Sequence, residues 1–75
     1  MKAQRIRLAI AENIPLFFTL MRMCPCEVDI EQGRRKVNGK SIGVFSLDLS
    51  APLTVIFYGE IDRGLGKQLK SFRID

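Results

Sequence analysis

Residues 38–49 read Asn38-Gly-Lys-Ser-Ile-Gly-Val-Phe-Ser-Leu-Asp-Leu49, a poor strand and a good turn opening a short helix. Gly39 suits the approach turn and Ser41 the N-cap, where a serine oxygen accepts a hydrogen bond from an otherwise orphaned amide. Ile42, Phe45 and Leu49 recur at helical spacing, which predicts that they bury one face of that helix. Ser50-Ala-Pro52 ends the element, and Leu53 to Tyr58 is the strongest strand in the chain. In it Leu53, Val55 and Phe57 alternate with Thr54, Ile56 and Tyr58, so one face turns to a core and the other to water. Pro52 stands at the first strand position, where a missing donor is tolerated.

Working outward, Glu27 to Glu31 alternates again, with Val28 and Ile30 inward, and Gln32-Gly33 is expected to turn a hairpin. A two-residue loop there would set Glu31 opposite Arg34 and Asp29 opposite Lys36, pairing charges on the exposed face. Arg5 to Ile10 also alternates, predicting a first strand with Ile6, Leu8 and Ile10 inward. Asn13 or Ile14 is expected to cap a helix that tolerates Pro15 in its first turn and buries Ile14, Phe17, Phe18 and Met21. Cys24-Pro25-Cys26 stops it, since proline disfavours helical geometry in the residue before it. At the other end Asp62 caps a last helix with Leu65, Leu69 and Phe72 inward and Lys67, Lys70 and Arg73 toward the negative end of its dipole.

The order is β-α-β-β-α-β-α, an α+β fold. Each element buries one face if three helices cover one side of a four-stranded antiparallel sheet, an open-faced β-sandwich. The 75 residues are one domain, 1–75. The apolar run Ile14 to Met23 is about ten residues, too short to span a bilayer, and Arg22 interrupts it. No small-residue cleavage site follows, so the protein is read as cytoplasmic, with no membrane association.

The chain has no histidine and no tryptophan, which removes imidazole as general base, metal ligand, phosphoryl acceptor or partner of a nucleophile. Its glycines form neither a Walker loop nor a dinucleotide fingerprint. The expectation is a non-enzyme without cofactor. Cys24 and Cys26 are too few for a closed zinc site, and one intervening residue strains a disulfide, so they are read as reduced, partly buried thiols and no metal is expected. Ser41 has two readings, a helix cap and a phosphorylation site placed where helix amides hold a phosphate. The net charge of +4 is spread rather than clustered. It allows an alternative function, a small nucleic-acid module using Arg5, Arg7, Lys36 and Tyr58 on the open sheet face. Ile56 and Tyr58 on that face also suit a homodimer contact.

Lys40-Ser41-Ile42, followed by Phe45-Ser-Leu-Asp-Leu49 and Pro52-Leu-Thr-Val55, resembles the second half of the phosphocarrier HPr family, and most of all its divergent members. The similarity runs from about Glu27 to Tyr58. It implies the same open-faced sandwich, and protein partners from the bacterial phosphotransferase system: a component, a kinase or a regulator. HPr proteins carry a phosphoryl group on a histidine in a Gly-Leu-His-Thr-Arg-Pro-like motif at the first helix. Here that region is Ile10-Ala-Glu-Asn-Ile-Pro15, with neither histidine nor arginine, and Glu12 falls on the phosphorylated position when the prolines are aligned. Regulated HPr proteins also carry a kinase-modified serine after a lysine at the start of the short helix, where this chain has Lys40 and Ser41. HPr partners bind over the first and second helices, which makes Phe17, Ile42, Val44 and Phe45 the candidate binding patch. The resemblance therefore implies a regulatory or docking domain, modified at Ser41 rather than charged on histidine.

Overall fold

The computed structural model describes residues 2–74. Strand β4 (Leu53–Phe57) lies between β1 (Lys2–Ile6) and β2 (Val28–Gln32), and β3 (Arg35–Asn38) completes a sheet in the order β1-β4-β2-β3, every neighbour antiparallel. The alternation read in β4 holds: Leu53, Val55 and Phe57 are buried, and Thr54 and Ile56 on the opposite face are half-buried. Two α-helices, α1 (Asn13–Met23) and α2 (Arg63–Leu69), join the inward sheet residues in one apolar core through Phe17, Leu20, Met21, Leu65 and Leu69. Between β3 and β4 the chain makes a 3-10 turn, Ile42–Ser46, where a third α-helix was expected. A second 3-10 turn, Lys70–Phe72, prolongs α2 and brings Phe72 edge-on to Phe17, centroids 6.2 Å apart. No helix among the described residues is long and apolar enough to cross a membrane.

The first strand is shorter and earlier than its alternation suggested. It ends at Ile6, and Leu8 stays buried, but Ile10 is exposed. The break is Ala9, whose φ of +67° closes a three-residue turn in which the Ile10 amide donates to the Leu8 carbonyl at 2.7 Å. That turn swings the chain off the sheet toward α1. The helix begins at Asn13 itself, with Glu12 at the N-cap position and no side-chain capping bond, while the Asn13 side-chain amide donates to the Leu8 carbonyl. Its buried stripe is Phe17, Leu20 and Met21, with Ile14 and Phe18 packed at the margin. At its end, around Ile6, the edge of β1 is covered by the C-terminal segment: Arg7 N donates to Phe72 O and Ile74 N to Arg5 O, around an Ile6–Arg73 bridge. This protects an edge that would otherwise invite a foreign strand.

The hairpin turn is Gly33-Arg34, one residue later than expected. Gly33 has φ +60° at the first central position, the place that a type II′ turn gives to glycine, and glutamine is left in the strand. Glu31 therefore pairs with Lys36 rather than Arg34, and Asp29 with Asn38 rather than Lys36. The later turn places Gln32 opposite Arg35 at the strand ends, and both side chains reach the loop that leads to β4.

Asp62 caps α2 as expected, its Oδ1 accepting from Leu65 N at 2.7 Å. Ahead of it, Gly59 passes so close to Cys26 that a Cβ there would lie 2.7 Å from the Cys26 Cβ. Two glycine substitutions thus have opposite signs. Ala9→Gly relieves a left-handed alanine, which costs roughly 1–2 kcal/mol, and gives back part of that in chain entropy, so it should stabilise by about 0.5–1 kcal/mol. Gly59→Ala forces a backbone shift and should destabilise by about 1–3 kcal/mol. Urea unfolding followed by circular dichroism measures both.

Candidate functional site

The segment between β3 and β4 is built on side-chain bonds from the hairpin. Arg35 donates from Nη1 to the Ser46 carbonyl at 2.7 Å and from Nη2 to Ser46 Oγ at 2.9 Å, and Ser46 Oγ donates to the Gly43 carbonyl at 2.6 Å. Gln32 does the same one turn further: its Nε2 donates to Asp48 O at 2.8 Å, and its Oε1 accepts from Asp48 N at 2.8 Å. The Ser50 hydroxyl and amide bind the Asp48 carboxylate and hold it below the ordinary aspartate range. An irregular loop is thereby given a fixed shape, since its backbone groups have partners outside it.

Ser41 opens the 3-10 turn. Its Oγ accepts from Gly43 N at 3.2 Å and donates to Asn38 O at 3.0 Å, and the residue is exposed. The capping reading of Ser41 is realised in the geometry, and the hydroxyl is open to solvent. Lys40 takes a different direction from its neighbour: its Nζ donates to the Cys24 carbonyl at the end of α1, 2.7 Å away, as a cation at the negative end of a helix should.

In a 3-10 turn residues three apart lie on one line. Ile42 and Phe45 therefore share the outer side, 81% and 55% exposed, while Val44 and Leu47 share the inner side and are buried. Phe45 meets Phe18 of α1 with centroids 5.3 Å apart, and the Arg22 guanidinium lies 5.8 Å from the Phe18 centroid. The structure thus gathers Ile42 and Phe45 with Phe18 and Arg22 into one exposed apolar patch bordered by a cation, beside Ser41. Phe17 and Val44 do not belong to it: each is 2% exposed, and they are core residues. Phe18, read in the sequence as an inward residue, stands half-buried, and its i, i+4 spacing to Arg22 on α1 is the kind that places an arginine against an aromatic ring.

Glu12 stands apart, exposed at the start of α1. The shallow hollow beside it is lined by Ala9, Ile10, Ala11, Ile14, Leu49 and Ser50, none of them basic. On the open sheet face the register sets Arg5 beside Thr54 at one side and Lys36 at the other, with Glu31 between them and Asp29 one pair further along β2. Tyr58 donates its hydroxyl to Asp29 Oδ2 at 2.9 Å. Thr54 and Glu31 thus lie between Arg5 and Lys36, Arg5 shares a hollow with Arg73, and the tyrosine is tied to Asp29. Ile56 is half-buried there. Among the described residues no three histidine, cysteine, aspartate or glutamate side chains come together as a metal site.

No family model and no curated protein matches the chain. Among solved structures it is similar to the crystal structure of HPr-C-His from Thermoanaerobacter tengcongensis, with a TM-score of 0.72 and 22% identity, over 95% of this chain and 89% of that one. At that identity the likeness is one of fold, so the open-faced α+β sandwich of this chain is an HPr-like fold.

Proposed function

We propose that this protein is an HPr-like docking domain that binds a phosphotransferase-type component or regulator without carrying phosphate on histidine, and that Ser41 is its switch. The observation that carries the reading is the exposed pair Ile42 and Phe45, set against Phe18 and Arg22 on a loop that Arg35 and Gln32 hold rigid. Ile42 lies almost wholly in water, and Phe45 keeps more than half of its surface there despite its contact with Phe18. They are well placed to be the buried centre of an interface whose rim is Arg22 and Lys40. The chain has no histidine to accept a phosphoryl group. Glu12, the residue at the corresponding position, has no basic side chain lining the hollow next to it to neutralise one.

Phosphorylation at Ser41 would act through simple electrostatics. It replaces the hydroxyl that donates to Asn38 O and brings about −1.5 to −2 charges beside the apolar patch, enough to repel an acidic partner surface and to favour an arginine-bearing one. The bland role of the same residue is measurable on its own. Ser41→Ala should cost about 1 kcal/mol of stability by removing the acceptor for Gly43 N, whereas Ser41→Asp should keep most of it.

Docking is tested by titrating isotope-labelled protein with Enzyme I and with sugar-specific phosphotransferase components, following amide shifts. The expected result is a set of shifts centred on Arg22, Ile42 and Phe45, with Phe45→Ala weakening the complex about tenfold or more while the fold is kept. Shifts confined to the open sheet face, or none with any component, would remove the reading. Incubation with Enzyme I and labelled phosphoenolpyruvate, then with the HPr serine kinase and ATP, should label Ser41 alone. Label on Glu12 would restore a carrier role and contradict the proposal.

A further inference from the structure

Cys24 and Cys26 lie outside the docking patch and have no part in it. Their Sγ atoms are 3.4 Å apart, already in contact, in the bend between the end of α1 and the start of β2. The two thiols differ in access: Cys24 is buried at 3% exposure and packs in the core, while Cys26 is half-buried at the core margin. Gly59 runs tightly beside Cys26, with a Cβ on it lying 2.7 Å from the Cys26 Cβ. A pair of contacting thiols, one inside and one at the surface, is the arrangement of an entry sulfur and a resolving sulfur.

We propose that Cys24 and Cys26 form a reversible dithiol–disulfide couple that exchanges with low-molecular-weight disulfides of the glutathione type, Cys26 meeting the reagent and Cys24 closing the bond. In the first step the Cys26 thiolate attacks one sulfur of the reagent. The reagent's S–S bond breaks, one thiolate leaves and takes up the proton that Cys26 has lost, and a mixed disulfide remains on Cys26. In the second step the Cys24 thiolate attacks Cys26 Sγ and expels the other half of the reagent, which takes up the proton from Cys24. Two protein thiols are oxidised, and one small disulfide is reduced to two thiols. Closing the bond brings the sulfurs from 3.4 Å to about 2.05 Å and strains the short link between them.

Burial pushes the Cys24 thiol up, against the opposing pull of the Cys26 backbone amide and the Lys40 ammonium. Because Cys24 is buried in the core and Cys26 stands half-buried at its margin, the reagent is met at Cys26, which fixes the order of the two steps. Two thiols alone are too few donors to close a zinc site, and a disulfide strained by having one residue between its cysteines is readily reduced, as a reversible couple requires. The idea does not depend on the docking reading, because neither sulfur belongs to that patch.

The test is to treat the reduced protein with oxidised glutathione at neutral pH, quench with acid and read intact mass. The wild type should lose two hydrogens without accumulating a glutathione adduct, and dithiothreitol should reverse the change. Cys24→Ala should stop at a stable adduct on Cys26, located by peptide mapping, and Cys26→Ala should react about tenfold more slowly than Cys24→Ala. A stable adduct on the wild type, a disulfide-linked dimer or no reaction at all would overturn the proposal. So would equal rates for the two variants. The wild-type arm decides even if a variant fails to fold, and Cys24→Ser and Cys26→Ser provide a second pair.

Discussion

Strand β4 is hydrogen-bonded along both edges, to β1 on one side and β2 on the other, and its inward residues Leu53, Val55 and Phe57 are each 1% exposed. Each such side chain contributes about 1.5–3 kcal/mol when fully removed from water. A chain of this size has little else with which to oppose its conformational entropy. The rest of the architecture follows from the need to cover those three residues. Val28 and Ile30 of β2 and Ile6 of β1 extend the same apolar face sideways, and α1 and α2 close it from above, Phe17 and Phe72 meeting edge to face across their junction. The opposite face carries Arg5, Thr54, Ile56, Asp29, Glu31 and Lys36 and stays uncovered.

The sheet was legible because a period of two is a strong signal wherever one face is wet. In β2 and β4 the inward residues were those the alternation named. What alternation cannot show is where a strand stops. Arg5 to Ile10 kept the pattern past Ile6, but a single left-handed residue, Ala9, ended the strand, and alanine gives no warning of a positive φ. The hairpin loop misled for a related reason. Gln32-Gly33 looked like the turn because it contains the glycine, whereas a type II′ turn wants glycine at its first central position, which moves the loop to Gly33-Arg34. One residue of shift changed every cross-strand partner.

At the candidate site the error was in the helical period. Read at 3.6 residues per turn, Ile42, Phe45 and Leu49 make one buried face. The segment is a 3-10 turn, so Ile42 and Phe45 eclipse on the outside and Val44 takes the inside with Leu47. The end of the turn is held by the double hydrogen bond from Arg35 to Ser46, a contact eleven residues apart that the helical spacing of 42–49 does not contain. Ser41 was legible because a cap is a local affair, decided by its own oxygen and an amide two residues on.

Lys40 is the residue through which these parts touch. Its backbone amide donates to Asn38 Oδ1 in the turn before Ser41, and its ammonium donates to the carbonyl of Cys24 at the end of α1. A lysine is a flexible tether, and in water such a bond adds little to stability. Here, however, it spans the gap between the element that carries Phe18 and Arg22 and the loop that carries Ile42 and Phe45, the two halves of the exposed patch. Those halves come from different elements and meet at the Phe18–Phe45 pair, so their relative position depends on how the end of α1 is held against the loop. The Lys40 bond, made to a carbonyl at the end of the helix, is a polar restraint on that position, and the apolar pair is another.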